Sequence, residues 1–132
     1  MSLTPDHLCG IWPDVDWDNA RLHALELPSE TVPVDALTWI LEHPIWSSKP
    51  PAPLFDLRPS DVIAEPRAHP EHARRIAEAD LRWPLLVHEL NGRLVVIDGL
   101  HRLARAQQAG RDAVHVQRVT RAQLEASRPA EA

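Results

Sequence analysis

Leu85-Leu86-Val87-His88-Glu89-Leu90-Asn91-Gly92-Arg93-Leu94-Val95-Val96-Ile97-Asp98-Gly99-Leu100-His101-Arg102 is the stretch whose reading decides the fold. Two apolar runs flank Asn91-Gly92. A two-residue hairpin turn needs φ > 0 at both central positions, and Asn-Gly supplies both at low cost, so the pair is a strong hairpin signal. The spacing predicts strands over 85–90 and 93–97. The β-branched run Val95-Val96-Ile97 fits a pleated, buried surface. The chain then turns at Asp98-Gly99, where glycine permits a backbone geometry that a Cβ resists. From Leu100 the period becomes helical, with Leu100, Leu103 and Gln107 at three-to-four spacing, and Gly110 stands where a helix C-terminus favours a left-handed residue.

A strand feeding a helix through a glycine turn has chemical consequences. The first N–H groups of the helix lack intrahelical partners and lie at the positive end of the dipole, so an anion there is stabilised twice. His101 and Arg102 fall in the first turn and add donors, and Arg105 follows one turn later. A guanidinium grips phosphate in a planar fork. Asp98 keeps three readings open: a catalytic base, a metal ligand, or a carboxylate that caps the turn. Gly99, Leu100, His101, Arg102 and Arg105 are thus the candidate phosphate- or nucleotide-binding residues, and Asp98 is the candidate catalytic one.

Ile97-Asp98-Gly99-Leu100-His101-Arg102, with Ala104 and Ala106 behind it and Gly110 closing the helix, resembles the signature of the ParB/sulfiredoxin superfamily. The resemblance extends over about residues 32–119. It implies an α+β fold, a small mixed sheet with packed helices, and a nucleotide whose phosphates rest on the glycine turn, with Mg²⁺ accompanying it. Departures narrow the activity. Leu100 stands where sulfiredoxins carry their cysteine, which argues against sulfur reduction. Leu100 also replaces the first histidine of the Asp-Gly-His-His-Arg motif of the free serine kinases, although Asp98 matches that motif's acid. The chain ends too soon for the helix-turn-helix that follows this region in chromosome-partitioning proteins.

Working outward, Leu25 and Leu27 alternate and predict a strand over 21–27, with His23 an ordinary strand residue, although Leu22 and Leu25 also fit a helical spacing. Thr31 to Val34 predicts a second short strand, with Pro33 confining it to an edge. Asp35 then caps a short helix over 36–42, and the resemblance to the kinases of the superfamily implies that Glu42 or His43 at its end borders the pocket. Residues 44–59 form a proline-rich loop pinned by Trp46 and Phe55. Ser60 opens one helical turn, and Pro70 and Glu71 open a better helix that ends near Ala79. Val114 and Val116 mark a last strand, and Thr120 caps a last helix to Ala126. His69-x-x-His72 has the spacing of a metal pair but no third ligand. The five tryptophans, at positions 12, 17, 39, 46 and 83, read mostly as core or interface residues, with Trp83 or Trp46 the choice if an indole stacks on a base. Arg74, Arg75, Arg93 and Arg111 make a mildly basic patch. The expected organisation is an arm over residues 1–30 packed on the domain, the domain over 31–126 and a frayed tail over 127–132.

The chain has 132 residues, long enough for one core, and a net charge of −5, which opposes general attraction to DNA, RNA or anionic membranes. Its single cysteine, Cys9, excludes an internal disulfide and suits a reducing compartment. No apolar run approaches the roughly 18 residues of a membrane span, and no secretion signal opens the chain, so the expected location is the cytoplasm. The expected function is nucleotide or phosphate binding, coupled to phosphotransfer or nucleotide hydrolysis through Asp98. The alternatives are a non-catalytic nucleotide-sensing or protein-interaction module, or a ParB-like nuclease or DNA-binding protein. The expected partner is a nucleotide or another phosphorylated small molecule, with a homodimer formed through the tryptophan-rich arm.

Overall fold

The computed structural model describes residues 5–50 and 54–129; positions 51–53 of the proline-rich loop, 1–4 of the arm and 130–132 of the tail lie outside it. Four strands form one mixed sheet: β1 (Ser29–Pro33), β2 (Leu85–Leu90), β3 (Arg93–Asp98) and β4 (Ala113–Arg118). Their spatial order is β1-β4-β2-β3. The outer pairs β1/β4 and β2/β3 are antiparallel, and the central pair β2/β4 is parallel, with Leu85 opposite Val116 and Val87 opposite Arg118. This is the α+β mixed sheet with packed helices that the sequence implied.

The central position of β2 explains its composition. Leu85, Leu86, Val87 and His88 are all buried, because elements cover both faces. His88 is accommodated by donating from Nδ1 to the Val119 carbonyl at 2.7 Å. The β2/β3 hairpin closes at Asn91 (φ 52°) and Gly92 (φ 79°), the doubly positive φ pair of the predicted turn.

Among the described residues, five α-helices accompany the sheet: α1 (Asn19–His23), α2 (Pro59–Ala64), α3 (Pro70–Ala77), α4 (Leu100–Gln108) and α5 (Arg121–Ala126). Helix α3 packs on α4, and α4 presents Leu103, Ala104 and Ala106, all fully buried, to the core. Thr120 and Gln123 form the capping box that starts α5. Two short 3₁₀ segments, Val34–Ala36 and Thr38–Glu42, stand where one helix over 36–42 is expected, because Leu37 and Ile40 are drawn fully into the core along a tighter helical path.

The segment over 21–27 differs from the sequence reading. It is no strand. Asp18 accepts from the amides of Ala20 and Arg21 and starts α1, Leu22 alone of that turn is buried, and Leu25 is exposed. The alternation of Leu25 and Leu27 falls in the turn after the helix, where Glu26 takes φ 51°. An effective N-cap outweighs a two-residue alternation. Leu8 and Val15 join the core ahead of α1, and the Asp18 amide donates to the Ser127 carbonyl at 2.8 Å, so the arm lies against α5. In the proline-rich loop, Trp46 and Leu57 exchange backbone hydrogen bonds at 3.0 Å. None of the helices among the described residues is long and apolar enough to cross a membrane.

Candidate functional site

Strand β3 ends at Asp98, Gly99 adopts φ 100°, and α4 begins at Leu100. Only glycine fits here. A Cβ on Gly99 would lie 2.6 Å from Leu85 Cδ2 and 3.3 Å from Arg102 Cζ. Gly99 has no side chain to cap the helix, and the first intrahelical bond runs from the Leu103 amide to the Gly99 carbonyl at 2.9 Å. The amides of Leu100, His101 and Arg102 precede that bond and belong to the unpaired group at a helix start.

This turn lines a cavity of about 840 Å³, whose wall includes Asp98, Gly99, Leu100, His101 and Arg102. Other wall residues come from α1 and the turn after it, from the end of α3, and from the Asp80–Pro84 segment. Arg105 is not among the lining residues, and neither are Glu42 and His43. Glu42 instead accepts from the Ser60 hydroxyl at 3.2 Å, and His43 packs edge-on against Trp39.

Asp98 contacts three other residues. Its Oδ2 lies 2.8 Å from His23 Nε2 and 3.5 Å from an Arg102 nitrogen, and its Oδ1 accepts from Asn19 Nδ2 at 3.3 Å. His23, expected to be an ordinary strand residue, therefore sits on α1 facing the acid of the turn. Arg102 folds back beneath Gly99 and donates from one terminal nitrogen to the Pro84 carbonyl at 2.7 Å. One of its five N–H donors is spent there, and its side chain remains 18% exposed.

His101 is held in an aromatic assembly. Its ring stacks on Trp46 with centroids 4.2 Å apart, beside His72, which stacks on the same indole at 4.6 Å. His72 Nε2 lies 2.7 Å from the Ser47 carbonyl, which can only accept, so that nitrogen carries the proton. With His72 neutral, its Nδ1 is the acceptor and His101 Nε2–H donates to it at 3.1 Å. Burial, the Arg75 charge and His72 together push the His101 pKa down from 6.5 to about 3. The ring is neutral near pH 7. Its one ring proton is committed to His72, and Nδ1 is left as an acceptor. Trp46, offered by the sequence as a stacking platform, is only 6% exposed, and these two histidines cover it.

Charge pairing decides what the cavity can hold. Glu78 is paired with Arg74 at 2.9 Å, and Asp80 with Arg82 at 2.7 Å; the Arg82 hydrogen bonds hold the Asp80 carboxyl at a pKa of about 2. Arg75 lines the cavity and depresses the His101 pKa, yet it makes no ion pair or hydrogen bond with any described residue. Trp83, at 64% exposed, is a large apolar ring on the same wall. The sequence placed Arg75 only in a diffuse basic patch. Its position on α3, facing the start of α4, depends on packing that no local pattern records.

No family model matches the sequence, and no curated protein matches it. Among solved structures, the chain is similar to the C-terminally truncated chromosome-partitioning protein ParB from Caulobacter crescentus in complex with CTP-gamma-S, at 19% identity and a TM-score of 0.40. The similarity covers 75% of this chain and 49% of that one, so the chain spans about half of that protein's length.

Proposed function

We propose that the protein binds a nucleotide in the 840 Å³ cavity, with its phosphates at the start of α4. One observation carries the reading: an uncapped helix N-terminus opens beside a guanidinium, that of Arg75, which no carboxylate neutralises. The amides of Leu100 and His101 and the free N–H groups of Arg75 and Arg102 supply donors for phosphate oxygens. Trp83 offers an exposed face for the base, and Glu26 offers acceptors for sugar hydroxyls. In this reading His101 contributes its backbone amide and shapes the floor, while its side-chain proton stays with His72. Arg105 lies outside the contact set. Mg²⁺ would enter with the phosphates.

The experiment is calorimetry with ATP, ADP, CTP, GTP and inorganic phosphate, with and without Mg²⁺, on the intact protein and on Arg75→Ala. Saturable binding that weakens about tenfold or more in Arg75→Ala supports the reading, since a charge-assisted hydrogen bond contributes roughly 1.5–3 kcal/mol. Absence of binding by every nucleotide overturns it.

Turnover is a second reading, favoured by the Asp98–His23 contact of 2.8 Å on the cavity wall. A carboxylate that orients an imidazole is an arrangement able to accept a proton from a hydroxyl or from water. Asp98→Asn would then keep nucleotide binding and remove product formation. Product formation that persists in Asp98→Asn removes Asp98 from the chemistry.

A further inference from the structure

A second cavity, of about 440 Å³, lies on the other side of the same strand end: Ile97 faces it, whereas Asp98 faces the first. Its wall is aromatic. Trp12 and Trp17 stand with ring centroids 5.7 Å apart and planes inclined at 42°, and Phe55 completes the set. All three are only half-buried, so ring surface remains available to an occupant. The Trp17 indole N–H donates to Asn19 Oδ1 at 2.8 Å, which fixes that ring's orientation. Phe55 holds φ 51°, a backbone conformation a non-glycine residue rarely keeps, and its ring lies on the cavity wall.

The charges in the wall are one-sided. Asp16 lines it, is exposed and has no partner among the described residues, and no Lys, Arg or His joins the lining. The faces of indole and benzene rings carry the negative side of the aromatic quadrupole, and a lone carboxylate adds to the same field. An anion is repelled here. A small ammonium is strongly hydrated and loses that hydration at an apolar wall. A cation whose charge is spread over methyl groups loses little hydration and packs well on aromatic faces.

We propose that this cavity binds a trimethylammonium group, carried either by a small choline-type molecule or by a trimethylated lysine. The site is independent of the nucleotide reading. Among the described residues, Asn19 links it to the first cavity by joining Trp17 to Asp98, next to Ile97 on the same strand end.

The test is calorimetric titration of the intact protein with tetramethylammonium, choline, N-trimethyl-lysine and 3,3-dimethylbutanol, the uncharged isostere of choline. Tetramethylammonium is expected to bind saturably, and the isostere is not. Trp17→Ala should weaken binding about tenfold. Asp16→Asn, at an exposed position that leaves the packing intact, should weaken it about fivefold. The tighter of choline and trimethyl-lysine identifies the source of the group. Non-saturable heats for all cations, equal binding of the uncharged isostere, or unchanged affinity in both Trp17→Ala and Asp16→Asn would each overturn the proposal.

Discussion

At Gly99 a hydrogen atom is the whole side chain, and two independent constraints demand it. The φ of 100° disfavours any Cβ, and the Leu85 methyl occupies the place where one would go. Gly99→Ala is therefore expected to lower the melting temperature and to weaken nucleotide binding more than Arg105→Ala, which changes a residue outside the cavity wall; parallel melting and calorimetry measure the difference. His101 gives a second residue-scale expectation, with a definite sign. Its folded-state pKa is depressed from 6.5 to about 3, so between those values the unfolded chain binds the extra proton. The stability this contributes is complete above about pH 6.5 and is lost as pH falls, at up to about 1.4 kcal/mol per pH unit. Denaturant unfolding at pH 7, 6, 5 and 4.5 should show this slope, and His101→Gln should flatten it relative to the parent. Both residues stood out in the sequence, but with unequal legibility. A glycine after a strand announces a turn, whereas the partner of a histidine's proton is twenty-nine positions away and leaves no local mark.

Elements defined by near neighbours were legible. The sequence predicts β2 over 85–90 and the strand is Leu85–Leu90, because Asn91-Gly92 fixes its end chemically. Helix α5 starts at the Thr120 cap, since Thr120 and Gln123 satisfy each other's backbone within one turn. Thr120→Ala should then cost about 1 kcal/mol, measurable by denaturant unfolding. Helix α1 was legible only in part. Five residues offer too short a window for periodicity, and there the helical spacing of Leu22 and Leu25 competes with the alternation of Leu25 and Leu27. Its position explains why the candidate acid of the turn is so fully engaged. Asn19 and His23, on one face of α1, both reach Asp98, so this short helix is fastened to the turn by side chains as well as by Leu22. Replacing Asn19 and His23 together by Ala should raise amide hydrogen exchange in α1 while leaving β2 and β3 protected, because local opening follows the loss of local contacts. Equal exchange in the parent and the double variant would show that Leu22 alone holds the helix.

The whole molecule is closed by contacts between distant parts of the chain. The parallel β2/β4 pair brings Leu85–Val87 against Val116–Arg118, and the arm lies against α5. Leu86 is fully buried in the middle of this arrangement, and Leu86→Ala should cost about 2–5 kcal/mol in denaturant unfolding. That is a large share of the roughly 5–15 kcal/mol that stabilises a small domain. By itself the sequence determined the hairpin, the glycine turn and the helix behind it, because each depends on turn chemistry or on a period carried by adjacent residues, while the α+β class followed from the family resemblance those residues carry. Only the tertiary structure decided that Arg75 stands unneutralised in the cavity of Asp98, that Trp46 is covered while Trp83 is open, and that His101 gives its proton to His72. Those facts depend on which elements meet in space, and residues from α1, α3 and α4 meet only after the sheet has fixed the order β1-β4-β2-β3. A side chain's charge can be read from one letter, but whether that charge is neutralised depends on neighbours that folding alone supplies.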